Sequence, residues 1–417
     1  MAVYYIDPVN GNDGAEGLCP DCAKKDYEKL SILPGDTVLF KRGSVYRDKL
    51  RSVGGTEEAP VTYGAYGEGE SPVFCGSVDV SSPADWEEAA PNIWRCLKAV
   101  PGEVGNFVFN EDECTAAFHW EKNELSQQGD FWDARFYGDH WREAQIPAQE
   151  ILLWSEKNPG EYYSHIECVP YGQRNLGDLV SNLVLEDLCA KNSGVHGFTG
   201  SGRNITIRRC QFKNIGGCAW SAKLHIRFGN AVELWTYGDD ILVEDCFFKN
   251  VYDSCVTQQG PGKDTIPAKN FICRRNVFDT YGMAAFEYRD KLPAYAEFTD
   301  NVCKNAGCGF AMLGIELPRQ SEIWPQPMGH HIFLWRIDGA EATDELRICG
   351  NDFGPAPVGA AIYSIIAPEA EAQMVLENNA YTPNDVMINH FAGKSWNDFD
   401  AYRKATGKDL TSVLKEA

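Results

Sequence analysis

Positive charge is scarce in this chain, and no long apolar run occurs. Lys and Arg together number 38 against 60 Asp and Glu, a formal net charge of −22. Phosphate backbones and anionic lipid are held by clustered cations, so nucleic acid and membrane surfaces are unfavourable partners. Highly anionic polysaccharides are disfavoured as well, unless a local basic groove overrides the net value. No window approaches the ~18 uninterrupted apolar residues that a membrane span needs. The opening MAVYYIDPVNGNDG has neither a basic n-region nor an apolar h-region, so no secretion signal is read there and a cytosolic setting is expected. Cys19 and Cys22 form a C-x-x-C that lacks the second pair, or the spaced histidines, of a structural zinc site. With 15 cysteines and no leader, the thiols are expected to be reduced, this pair included, and no metal ligand set is assigned.

What is present is a folding composition, 44% hydrophobic and 12% aromatic over 417 residues. From about residue 180 one short pattern keeps returning: a strand-like alternation, then Cys or Asn, one residue, and an apolar or aromatic residue. It reads LVLEDLCAKN, ITIRRCQFKN, ILVEDCFFKN, FICRRNVFDT, AEFTDNVCKN, LRICGNDFGP and MVLENNAYTP. Alignment stacks Leu188, Cys210, Cys246, Asn276, Asn301, Asn351 and Asn379, at successive spacings of 22, 36, 30, 25, 50 and 28 residues. Two positions on lie Ala190, Phe212, Phe248, Phe278, Cys303, Phe353 and Tyr381. A period of this size with one strand pattern per copy is a solenoid signature, and alternation rather than three-four spacing excludes helical repeats. The fold expected is all-β, a parallel β-helix in which equivalent positions form columns. The spacing of 50 marks one coil with a long excursion or an extra coil.

Open solenoid ends invite aggregation and need covers. SWNDFDAYRKATG reads as a C-terminal capping helix, with Ser395 as N-cap and Gly407 as the stop, and KKDYEKLSIL is expected to cap the other end. Residues 84–170 break the repeat and are Trp-rich, which predicts an inserted β-rich lobe. The organisation expected is residues 1–83 as cap and first coils, 84–170 as the lobe, 171–390 as the coils carrying the site, and 391–417 as cap and tail.

The segments YYIDPVNGNDG, PGDTVLFKRGSVYRDKL, APVTYGAYGEGESPVF, LLWSEKNPGEYYSHIE and FDAYRKATG resemble bacterial carbohydrate-active proteins with a pectin-lyase-like, right-handed parallel β-helix. The resemblance implies that architecture and a broad set of glycoside-hydrolase-like proteins. It implies neither one substrate nor one reaction.

Candidate chemistry lies on the strand after each repeat: GNAVELW (229–235), DSCVTQQ (253–259), MAAFEYR (283–289), CGFAMLG (308–314) and GAAIYSI (359–365). Period-two alternation turns Val232, Val256, Phe286, Phe310 and Ile362 inward. It turns Glu233, Thr257, Glu287, Ala311 and Tyr363 outward in one column, with Trp235, Gln259 and Arg289 two positions along. Two coils apart, the Glu233 and Glu287 backbones would be roughly 9–10 Å from each other. Inverting glycosidases hold their carboxyls ~6.5–9.5 Å apart and retaining ones ~5–5.5 Å, so the column permits hydrolysis and mildly favours inversion. Glu287 is read as the base, oriented by Arg289. Glu233 is read as the acid, its proton affinity raised by Trp235, and Asp253 is a third candidate. The same acids read equally well as ordinary residues on a solvated sheet face.

Arg227 is placed at the rim beside Glu233, and His196 reads first as a satisfied structural histidine and second as a flank of the same face. The stretch 313–335, LGIELPRQSEIWPQPMGHHIFLW, offers Glu316, Arg319, Trp324 and His330 as a sugar-site wall, with a structural loop as the bland reading. In the lobe, Trp120, Trp132 and Trp141 serve either a carbohydrate grip or the lobe's own core.

The leading expectation is a glycoside hydrolase acting on imported oligosaccharides, without cofactor, the lobe closing one end of its groove. The alternatives are a polysaccharide lyase or uronate epimerase, in which Arg227, Arg289 and Arg319 or Ca²⁺ would neutralise a uronate, and a non-catalytic carbohydrate-binding solenoid. Nothing in the sequence sets an oligomeric state.

Overall fold

The computed structural model describes residues 1–134, 150–260, 266–310, 328–337, 339–341, 343–383, 388–389 and 391–416. Its main body is a parallel β-helix with three faces. One face stacks the strands Leu183–Glu186, Phe271–Arg274, Tyr295–Thr299, Glu345–Cys349 and Met374–Glu377 with the second halves of His196–Arg208 and Val232–Glu244. A second runs from Val45–Tyr46 and Val73–Cys75 through Cys189–Ser193 to Ala380–Tyr381 and Val413–Leu414. The third carries the first halves of His196–Arg208 and Val232–Glu244, then Ser254–Gln259, Ala284–Arg289, His330–Ile337 and Ile362–Ile366.

The repeat columns read from sequence are the columns of the second face. Ala190 pairs with Phe212, Phe212 with Phe248, Phe248 with Phe278, Phe278 with Cys303, Cys303 with Phe353 and Phe353 with Tyr381. These side chains fill the bore, and the Phe212, Phe248 and Phe278 rings stack at 4.8 Å intervals, the spacing of the strands themselves. The Asn column at the bend before this face has a specific task. Asn276, Asn301 and Asn351 each donate their backbone N–H to the side-chain oxygen of the next Asn, at 2.9–3.0 Å. Their buried amide nitrogens cap strand carbonyls that the bend would otherwise leave unpaired.

Several expectations are corrected. The C-terminal helix is Phe399–Thr406, and its N-cap is Asp398, whose side chain accepts from Ala401 N at 2.9 Å, rather than Ser395. Gly407 does stop it, with φ +68°. No helix forms over KKDYEKLSIL, and Tyr27 from that segment packs against the first coils instead. Cys19 and Cys22, expected as free thiols, are joined in a disulfide across a one-turn 3₁₀ helix, Pro20–Cys22. The strand paired to Ala284–Arg289 is His330–Ile337 rather than CGFAMLG, of which residues 311–314 lie outside the described residues. Gly307 and Gly309 both take left-handed φ, which breaks an extended run, and the coil closes through His330–Ile337, with Ala284 paired to His330. Phe333 therefore occupies the outward column where Ala311 was expected, and the spacing of 50 reflects the excursion before it. The calls on Glu316, Arg319 and Trp324 lie outside the described residues.

Antiparallel strands of the lobe begin at Val78–Asp79, a few residues before the boundary expected, and end at Ile166–Pro170. One antiparallel sheet and one mixed sheet, in which Ala117–Phe118 runs parallel to Asp130–Asp133, enclose a separate apolar core that includes Trp86, Phe107, Phe109 and Phe131. Among the described residues, no helix is long and apolar enough to cross a membrane.

Candidate functional site

The third face sets the expected acids in register. Glu233 pairs with Thr257 and Thr257 with Glu287, so both carboxylates leave the same side of the sheet, from parallel strands two ladder steps apart, while Val232, Val256 and Phe286 fill the bore. Trp235 pairs with Gln259, and Arg289 with Trp335, in the next outward column.

The environment of this column differs from the solvated sheet face of the sequence reading. Glu233 is 2% exposed and Glu287 1%. One Glu233 oxygen accepts from Asn230 Nδ2 at 2.6 Å and Gln259 Nε2 at 3.1 Å, and the other from Thr199 Oγ1 at 3.3 Å. Gln259, expected to touch substrate, thus orients Glu233. His196 Nδ1 lies 3.5 Å from Glu233 and accepts the Asn230 N–H at 3.1 Å. Burial pushes the His196 ring below its ordinary pKa of 6.5, against the opposing charges of Glu233 and Asp253.

Glu287 accepts from Ser254 Oγ at 2.9 Å and from Trp335 Nε1 at 2.8 Å. Its pKa is raised above 4.5, chiefly by burial and further by the charge of Asp253, while Arg289 and the two hydrogen bonds pull the other way. A raised pKa suits a general acid better than the base that the sequence reading made of Glu287. The tryptophan hydrogen-bonded to Glu287 is Trp335, whereas Trp235 is 40% exposed.

Asp253 sits at the bend before Ser254–Gln259, its backbone bonded to Gly229 O and Met283 N, with its carboxylate buried. Asn230 joins the two halves of the site, since its Nδ2 holds Glu233 while its Oδ1 accepts the Ser254 N–H at 3.0 Å. Asn230, Ser254, Thr199 and Trp335 were not singled out from sequence. For Asn230 the signal was its place three residues before Glu233, at the turn that starts the strand.

Two buried polar atoms of the face find no hydrogen-bond partner among the described residues. They are Thr257 Oγ1, between the two glutamates, and Arg289 Nε, beside Glu287. Buried polar groups in native structures are overwhelmingly paired, so two such atoms on one face stand out.

Other expected contacts fall elsewhere. Arg227 is a clamp between coil and lobe, donating to Gly217 O and Gly105 O and stacked between Phe118 at 4.5 Å and Tyr252 at 4.6 Å. Its guanidinium is occupied by the fold and is not at the rim. His330 opens a strand, buried, with Nδ1 accepting from Ala360 N at 2.9 Å and its ring stacked on Tyr363, so it does not stand in an open wall. His331 turns the opposite way into the bore. In the lobe, Trp120 stacks flat on His225 at 4.5 Å. Among the described residues no group of three or more His, Cys, Asp or Glu could hold a metal ion.

No protein-family model and no curated protein sequence matches the chain. Solved structures do resemble it. A complex of XylC with xylose superposes at a TM-score of 0.53 with 14% identity, over 93% of this chain and 63% of that one. The pectate lyase Pel9A gives 0.53 and 11% identity, over 100% and 79%. A GH136 lacto-N-biosidase from Eubacterium ramulus gives 0.50 and 13%, over 100% and 67%. The chain thus spans less than two thirds of the XylC chain. At these identities the likeness shows the fold alone, a parallel β-helix.

Proposed function

We propose that the protein is a carbohydrate-active enzyme, a glycoside hydrolase working through two carboxyl groups on the third face of the β-helix. Glu287 is the general acid, protonating the leaving oxygen, and Glu233 is the second carboxylate, which activates water. The strands beneath them are two ladder steps apart, roughly 9–10 Å, in keeping with an inverting separation once the side chains lean together. Asp253 acts through its charge, helping Glu287 to keep its proton. Trp235, the exposed aromatic of the face, is placed to stack on a sugar ring.

One observation carries this reading: a column of Glu233, Thr257 and Glu287 in register, buried, with the Thr257 hydroxyl between the two acids finding no hydrogen-bond partner among the described residues. The kinship of fold with XylC and a lacto-N-biosidase supports a saccharide as the substrate but does not choose it.

Turnover of a panel of neutral and acidic aryl glycosides tests the proposal, with Glu287→Gln expected to be inactive while its circular dichroism is unchanged. Near-normal activity in that variant would remove Glu287 from the chemistry. A lyase or uronate epimerase is the second reading, favoured by the cationic Arg289 beside an acid. An unsaturated uronate product would replace hydrolysis with elimination.

A further inference from the structure

Asn230 is buried at the turn that starts the Glu233 strand, and each of its four polar groups is engaged. Its backbone N–H donates to His196 Nδ1 at 3.1 Å and its carbonyl accepts the Gly197 N–H at 2.9 Å, which pins the turn to the coil before. Its side chain reaches the coil after, where Oδ1 accepts the Ser254 N–H at 3.0 Å. A backbone N–H only donates, so this amide cannot be turned end for end. The group left to face Glu233 Oε2, at 2.6 Å, is the NH₂. Gln259 Nε2 meets the same oxygen at 3.1 Å, and the Thr199 hydroxyl reaches the other at 3.3 Å.

Glu287 has different neighbours. Trp335 Nε1–H, which only donates, holds Oε1 at 2.8 Å, so a proton on this carboxyl sits on Oε2. Oε2 faces Ser254 Oγ at 2.9 Å, and a hydroxyl donates to a carboxylate but accepts from a carboxylic acid. Ser254 thus fixes Asn230 through its backbone and serves either state of Glu287 through its side chain.

We propose that Asn230 and Ser254 are positioning residues that assign the two carboxyls their separate tasks, Asn230 holding Glu233 as the proton acceptor and Ser254 lodging the proton of Glu287 on Oε2. This deepens the acid–base reading of the face and rests on it. Both residues act through the glutamates. As the glycosidic bond breaks, the Oε2 proton passes to the leaving oxygen, and the Ser254 O–H turns to donate to the carboxylate left behind. The attacking water gives its proton to Glu233 and its hydroxyl to the sugar carbon. The other titratable or charged groups around the pair are His196, 3.5 Å from Glu233, Asp253 at the bend before Ser254, and Arg289 on the Glu287 strand.

The test is the pH dependence of kcat and KM of the full chain, on whichever 4-nitrophenyl glycoside of a mixed panel the wild type cleaves fastest. Asn230→Asp keeps the size of the side chain and an acceptor for the Ser254 N–H, but turns an oxygen toward Glu233 in place of the donor. Its acidic limb of kcat/KM is expected to move up by about one pH unit or more, as for two carboxylates sharing a site. Its kcat should fall about 10- to 100-fold with KM little changed, the usual cost of a misplaced catalytic group. Ser254→Ala keeps the backbone N–H and is expected to lose kcat to a similar extent, with Ser254→Thr recovering most of it. A folded Asn230→Asp with an unmoved acidic limb and near-normal kcat overturns the proposal, and so does near-normal kcat in Ser254→Ala. If Asn230→Asp folds at no pH, Asn230→Ala takes its place, with the same loss of kcat expected and near-normal kcat overturning the proposal.

Thermal unfolding supplies a readout that needs no turnover. A second carboxyl against Glu233 raises the folded-state proton affinity of the pair, so stability is present at low pH and lost as pH rises. The Tm of Asn230→Asp should fall well below that of the wild type at pH 8 and approach it near pH 4, and parallel curves overturn the assigned polarity of the amide. Turnover that both variants leave unchanged would remove the proposal and keep the hydrolase. Failure of the wild type to cleave any glycoside, with the pH-dependent Tm present, would remove the hydrolase and the tasks assigned to the two glutamates, and keep the amide contact.

Discussion

The indole nitrogen of Trp335 donates to Glu287 Oε1 at 2.8 Å, across one step of the ladder and 48 residues of chain. The hydrogen bond favours the ionised carboxylate and so works against the burial that raises its pKa. Trp335→Phe keeps most of the ring and removes the donor, so Glu287 should hold its proton to a higher pH. If Glu287 is the general acid, the alkaline limb of kcat/KM against pH moves upward. A limb that stays in place, or moves down, would mean that another group sets it.

Glu287→Gln separates activity from stability. Turnover is expected to fall by at least about 10²- to 10⁴-fold, the usual contribution of a positioned acid. Stability should move the other way. A carboxyl whose native pKa lies above 4.5 binds its proton more tightly when folded. Its contribution is complete below 4.5 and is lost as pH rises through the native value, because a charge is then buried near Asp253. Glutamine has no such charge. The Tm of the variant should therefore exceed that of the wild type at pH 7–8, with the gap closing below pH 4.5. Calorimetric scans across that range check it.

The fold was legible because its columns repeat. Seven residues from Ala190 to Tyr381, aligned by pattern alone, pair one after another in the structure. The register of Glu233, Thr257 and Glu287 followed from the same alternation. Two things were not legible. CGFAMLG and HHIFLW both alternate, so pattern alone does not choose between them, and it is the second that pairs with Ala284–Arg289. With the wrong strand in that coil, Trp335 could not be placed against Glu287. Burial of the acids was hidden too, since alternation says which side of a strand a residue leaves and nothing about what covers that side. Arg227 failed for a related reason: its partners, Gly105 and Phe118, belong to the lobe, more than 100 residues away in the chain.

The asparagine ladder should be among the most sensitive parts of the body. Asn351 accepts the Asn301 N–H at 3.0 Å, and its Nδ2 donates to Phe298 O at 2.8 Å. Asn351→Leu keeps a similar volume but leaves that N–H and that carbonyl buried without partners. At about 1–3 kcal/mol for each buried group left unsatisfied, a loss of roughly 2–6 kcal/mol is expected. Chemical denaturation would measure it, and a cost below about 1 kcal/mol would mean the bend finds other partners.

His331 supplies an acid-sensitive point in the bore. Its Nε2 donates to Gly354 O at 2.8 Å, and its Nδ1 accepts from the Tyr281 hydroxyl, an arrangement that only the neutral ring can make. Burial lowers its pKa from 6.5 to about 4. The unfolded chain therefore binds a proton more readily than the folded one between those values. Stability is complete above pH 6.5 and falls as pH drops toward 4, by about 3 kcal/mol at most. His331→Gln offers an amide nitrogen to Gly354 O and an oxygen to Tyr281, with nothing to titrate. The variant should be less stable than the wild type at pH 7.5 through imperfect packing, but its Tm should decline less between pH 6.5 and 4. Parallel slopes for the two proteins would show that the carboxylates, and not this ring, govern unfolding in that range.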